Sequence, residues 1–132
     1  MRRQFLLPEF DHEHLEARGL EWETIIESGV RWLLLHAFPV PGGYNHRTVT
    51  VAIMLSAGYP DAPLDMAYFY PPLARIDGRA IGAISSQPID GKSFQRWSRH
   101  RTGQNPWRPG IDDLAAHLAL VEHWLAREFT KG

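Results

Sequence analysis

The chain has no cysteine among its 132 residues. That absence removes disulfides, thiolate metal sites and a thiol nucleophile at once, because each needs the sulfur. Long apolar runs are missing too. A membrane-crossing helix needs about 20 apolar residues, and the densest cluster, Trp32-Leu33-Leu34-Leu35, is far shorter. Met1-Arg2-Arg3 is basic, but no apolar segment with a small-residue cleavage site follows. A signal peptide is therefore not expected, and the cytoplasm is the expected compartment. No internal repeat or low-complexity tract stands out.

What is present suits one domain spanning residues 1–132, since a chain of this length can bury a sizeable core. A hydrophobic content of 44% against 22% charged residues is that of an ordinary globular chain. The net charge of -1 conceals an asymmetry. Glu9, Asp11, Glu13, Glu16, Glu21, Glu23 and Glu27 face Arg18 alone in one stretch. Lys92, Arg96, Arg99, Arg101 and Arg108 occupy another that holds no acid. Opposed charges at two ends suit either a charged partner or two solvated faces.

The organising stretch is 48–73. Thr48, Thr50, Ala52 and Met54 interleave with Val49, Val51, Ile53 and Leu55, two faces rich in β-branched residues, as in a covered strand. Gly58-Tyr59-Pro60-Asp61-Ala62-Pro63 ends it, because each proline fixes φ and lacks an amide donor. Met66-Ala67-Tyr68-Phe69 reads as a short second strand, stopped by Tyr70-Pro71-Pro72.

Ahead of it, Asp11 is expected to cap a helix ended by Gly19, with Leu15 and Phe10 facing inward. Asp11-His12-Glu13-His14 is not expected to hold a metal, since residues two apart on a helix point in different directions. Trp22–Glu27 and Arg31–Phe38 predict a hairpin turning at Ser28-Gly29. The second strand is apolar on both faces, hence central or beneath a helix, and His36 within it reads as a structural residue. Gly42-Gly43 lacks the spacing and lysine of a phosphate-binding loop.

After Leu73 the pattern weakens. Asp77-Gly78 and Asp90-Gly91 are turn signals, and Arg79–Ile84 suggests a short extended piece. No long hydrophobic period appears before Ile111, and an irregular stretch of that length is often functional. Ile111, Leu114, Leu118, Val121 and Leu125 then form one apolar helical stripe, with His117 and Trp124 beside it. Asp112 and Asp113 fall in its expected first turn, and Arg127 and Lys131 near its end. The predicted class is α+β: an antiparallel meander of about four strands with an N-terminal and a C-terminal helix.

Several of these segments resemble a known family. Gly58 to Pro63 resembles the Tyr-Pro-x-x-Pro-Pro step of ubiquitin-conjugating enzymes. Tyr70-Pro71-Pro72 stands where they carry His-Pro-Asn, Asp77-Gly78 resembles the next turn, and Trp107-Arg108-Pro109 resembles their Trp-x-Pro before a closing helix. Gln95-Arg96-Trp97-Ser98-Arg99-His100 and Pro109-Gly110-Ile111-Asp112 resemble a bacterial branch, the prokaryotic family E ubiquitin-conjugating-like proteins. The resemblance covers nearly the whole chain and implies a UBC-like fold. It also implies a ubiquitin-like protein and an activating enzyme as partners, with a metal-dependent deconjugating protease in the same pathway. No cofactor is implied.

The departures from the standard enzyme are chemical. The expected cysteine position falls near Ile81, and Tyr70 and Pro72 replace the histidine and asparagine. Thioester transfer is therefore excluded. In one reading a hydroxyl takes the thiol's place and carries the modifier as an oxyester. Ser98 is the preferred hydroxyl. His100 would act as its base, sharing a strand face with it, and Arg99 and Arg101 would stabilise an oxyanion. Ser85 and Ser86 are rivals. In a second reading the chain binds a ubiquitin-like protein or its activating enzyme without chemistry, using Tyr70, Trp97 and Trp107 as contact or core aromatics. A third reading has Lys92, Arg96, Arg99, His100, Arg101 and Trp97 track a nucleic acid, against which the acidic stretch argues.

Overall fold

The computed structural model describes residues 1–130. Its elements run α1 (Glu9–Arg18), β1 (Trp22–Glu27), β2 (Val30–Pro39), β3 (Thr48–Leu55), β4 (Ala67–Tyr70), β5 (Ile84–Ile89), β6 (Lys92–Trp97) and α2 (Leu114–Arg127). The strands form one antiparallel sheet in the order β1-β2-β3-β4-β6-β5. The α+β class holds, but six strands replace the expected four. The additional pair is the β5–β6 hairpin, turning at Asp90-Gly91. Its first strand is an edge whose Ser85, Ser86 and Pro88 are exposed, so it shows no hydrophobic alternation. The Arg79–Ile84 piece is not a strand; β5 begins at Ile84.

Alternation along β3 divides the core. Val49, Val51, Ile53 and Leu55 face the helices, meeting Leu15 of α1 and Leu114, Leu118, Val121 and Leu125 of α2. Trp97 and Phe69 are fully buried in the same layer, ring centroids 5.1 Å apart and edge to face. Removing a ring of that kind costs on the order of 3–5 kcal/mol. The other face carries a second core of Ile25, Trp32, Leu34, Ala52, Tyr68, Ile89 and Phe94.

Among the described residues no helix covers that second core; the sheet closes over it by curling. The β5–β6 turn reaches back to β1, at the opposite end of the strand order. Arg2 spans the gap, pairing with Glu23 at 2.9 Å and Asp90 at 2.7 Å, and the Asp90 amide donates to the Glu27 carboxylate at 3.2 Å. Residues 2–5 also run along β1, with the Gln4 amide donating to the Thr24 carbonyl at 2.9 Å, so that edge is covered.

The helix ends correct three expectations. Asp11 does not cap α1, whose N-cap is Pro8. Asp11 is buried instead, accepting from the Leu114 amide at 3.1 Å and from the Tyr59 hydroxyl. It therefore serves the N-terminus of α2, a position local sequence cannot reveal. Phe10 is half exposed rather than inward. Ile111 is exposed and precedes α2, which starts at Leu114 with Asp113 as N-cap, its side chain accepting from the Ala116 amide at 3.0 Å. Lys131 lies outside the described residues.

Candidate functional site

The segments that suggested a family converge in space. Tyr59-Pro60 packs on Trp107, whose indole N–H donates to the Pro60 carbonyl at 3.0 Å. Trp107 is half-buried against the helix-side core, whereas Trp97 is wholly buried. Gln95 is a pin missed by sequence reading. Its side-chain oxygen accepts from the Leu73 amide at 3.0 Å and the Trp97 indole at 2.9 Å, and its amide donates to the Leu73 carbonyl at 2.9 Å. The chain leaving Tyr70-Pro71-Pro72 is thereby fastened to β6.

Two clefts flank Pro71-Pro72, and Phe94 lines both. One, of 280 Å³, is lined by Pro72, Ile84, Ser85, Ser86, Ser93, Phe94 and Gln95. The other, of 390 Å³, takes in Tyr70, Pro71, His36, Thr50 and Lys92. Ser85 and Ser86 thus stand exposed beside the Pro-Pro step. Their cross-strand neighbours are Arg96 and Gln95.

Ser98 lies elsewhere. Strand β6 ends at Trp97, whose partner Ala67 opens β4, while Tyr70 closes it. At about 3.3 Å rise per residue, the Ser98 end is roughly 10 Å along the sheet from Tyr70. Since 98–100 lies past the strand, the expected shared strand face of Ser98 and His100 does not exist, and no hydrogen bond joins them among the described residues. The Ser98 amide instead donates to the Ala83 carbonyl at 3.0 Å, and Arg99 donates to the Gly82 carbonyl at 3.1 Å. Half-buried Ser98 therefore adjoins the 81–83 segment, where the resemblance puts the absent cysteine.

His100 has a partner that sequence reading did not supply. Its Nδ1 is 2.7 Å from Asp65 Oδ2. A carboxylate on one ring nitrogen leaves the other, Nε2, as the basic site. The signal was there in principle as an acid before β4, but the pairing spans 35 residues.

The two arginines are committed to structure. Arg99 pairs with Glu128 at 3.1 Å and lies over the Trp97 ring at 4.9 Å. Arg101 donates to the Leu64 carbonyl at 2.9 Å, stacks over Trp107 at 4.7 Å and meets His117 Nδ1 at 3.0 Å. Burial, reinforced by Arg101, pushes His117 down to about 4, so it is neutral near pH 7. Its Nε2 donates to the Met66 carbonyl at 2.9 Å. No group of three or more metal-binding side chains occurs among the described residues, and none of their helices is long and apolar enough to cross a membrane.

A family model described as prokaryotic E2 family E matches residues 7–128. No curated protein and no solved structure matches the chain.

Proposed function

The chain belongs to prokaryotic E2 family E, and from that premise we propose that it accepts a ubiquitin-like modifier from an activating enzyme on the Ser98 hydroxyl, as an oxyester. Membership gives a conjugation-related role on a UBC-like fold; the rest is our reading. The observation that carries it is the Asp65–His100 pair at 2.7 Å, close in sequence to a serine bonded to the 81–83 segment. A serine hydroxyl needs such a base to become a useful nucleophile.

The step balances. Ser98 Oγ attacks the modifier's C-terminal carbonyl, held as a thioester on the activating enzyme. The C–O bond forms, the C–S bond breaks, and the serine proton passes through His100 to the departing sulfur. The product is an ester, which resists thiol reductant and yields to hydroxylamine.

A different observation favours the non-covalent reading. Arg99 and Arg101 are occupied by Glu128, His117 and backbone carbonyls, leaving the oxyanion without the stabilisation expected of them. On that reading the exposed Ser85–Ser86 cleft beside Pro72 is a docking surface for the modifier. Incubation with modifier, activating enzyme and ATP separates the two. A reductant-resistant, hydroxylamine-sensitive adduct that disappears in Ser98→Ala supports transfer; binding without an adduct supports docking.

A further inference from the structure

The 390 Å³ cleft beside Tyr70-Pro71 holds a chain of side chains that the Ser98 reading does not use. Between the pairs Leu35–Val51 and Phe38–Val49, β2 has two residues, His36 and Ala37, opposite Thr50 alone on β3. That is a β-bulge, a device that re-aims a side chain. Ala37 within it sits at φ 53°, a left-handed conformation that residues with a Cβ rarely adopt. The bulge sets His36 beside Thr50 and Glu23: Nδ1 is 3.0 Å from Thr50 Oγ1 and Nε2 is 2.8 Å from Glu23 Oε2.

The proton positions follow from the partners. The Arg2 guanidinium holds the Glu23 carboxyl down at about 2, so it is ionised and can only accept. Nε2 of the neutral ring therefore carries the hydrogen, and Nδ1 accepts from the Thr50 hydroxyl. This is the polarity of a nucleophile, its base and an orienting carboxylate. Leu34, Tyr70 and Phe94 give the cleft an apolar wall, and Lys92 and Asp90 line it too.

We propose that Thr50, His36 and Glu23 form a second acyl-transfer site, independent of Ser98, that takes esters with a short apolar acyl chain. Thr50 Oγ1 attacks the ester carbonyl as its proton moves to His36 Nδ1. The C–O bond to the alcohol breaks, and the alcohol leaves with that proton. Water then hydrolyses the acyl-threonine by the same route. The apolar wall holds the acyl chain, and Lys92 supplies positive charge for the oxyanion.

The test uses the full chain with an alkyl fluorophosphonate, which bonds to an activated hydroxyl as fluoride leaves with the proton. Neither modifier, activating enzyme nor ATP is present, and labelling is scored at Thr50 separately from Ser98, so the two readings fail independently. Mass mapping of the labelled wild-type chain is expected to find the phosphonyl group on Thr50. Thr50→Val, similar in shape, should abolish labelling at position 50, and Thr50→Ser should restore it there. His36→Gln should slow it at least about tenfold, as should loss of p-nitrophenyl butyrate hydrolysis accompany each of these losses. No labelling above that of the heat-denatured chain overturns the proposal. So does labelling that falls on Ser85, Ser86 or Ser98 with none on Thr50, a result read on the wild-type chain whether or not a variant folds.

Discussion

At the scale of single residues, partners rather than residue types separate chemistry from architecture. Arg99 and Arg101 have the right charge for an oxyanion, yet each is spent on packing an aromatic ring and satisfying buried acceptors. His100 is different, because Asp65 orients it while His100 itself stays exposed and Asp65 is partly so. Exposed ion pairs contribute about 0–1 kcal/mol to stability. Asp65→Asn should therefore leave the denaturation midpoint nearly unchanged and slow formation of the hydroxylamine-sensitive adduct about tenfold or more. A stopped time course of adduct formation beside a urea titration reads both. Glu23 gives a pH prediction. The Arg2 guanidinium holds the Glu23 carboxyl at about 2, below the ordinary glutamate value of 4.5, so its stabilisation is complete above 4.5 and is lost as pH falls toward 2. Glu23→Gln should be less stable than wild type at pH 7, and the gap should close between pH 4.5 and 2 in urea titrations.

At the scale of elements, the parts readable from sequence were those whose signal is local. The β3 alternation and the Ser28-Gly29 turn are each set by adjacent residues and appear at nearly the expected bounds, and so does the apolar stripe of α2 from Leu114 onward. Of the β5–β6 hairpin only the Asp90-Gly91 turn was legible; β5 was hidden because an edge strand with Ser85, Ser86 and Pro88 carries no apolar period. The Asp65–His100 pair was hidden for another reason: its partners meet only after β4 and β6 have paired. Asp11 shows the same limit. It reads as a cap for α1 by position, but it accepts from the first amide of α2 across the fold. Burial raises its carboxyl above the usual range. Asp11→Ala should cost about 0.5–2 kcal/mol, the range for a lost cap. Its effect should fall on α2, visible as faster hydrogen exchange at the amides of Leu114 and its neighbours than in α1.

At the scale of the molecule, the sheet has two cores and helices over only one. The second core survives because the β5–β6 turn is tied back to β1 by Arg2, Glu23, Glu27 and Asp90. Arg2→Ala should increase hydrogen exchange at Ile89–Phe94 and in β1, with β3 little changed. High salt should reproduce part of that effect in the wild type, since the linking ion pairs are partly exposed. The same curl forms the cleft that contains Thr50 and His36, so the two predictions probe one architectural feature from opposite sides. Ser98 lies past the Ala67–Trp97 end of the β4–β6 pairing and Pro71-Pro72 past the other, with the Ser85–Ser86 cleft reaching from Ile84 to Pro72 between them. Which region carries a modifier is decided most directly by mapping the adduct. After reaction with modifier, activating enzyme and ATP, the reductant-resistant product is digested and the modified peptide sequenced by mass spectrometry. The account predicts the modifier's C-terminal residue esterified to Ser98. Attachment at Ser85, Ser86 or Thr50, or no ester at all, would contradict it.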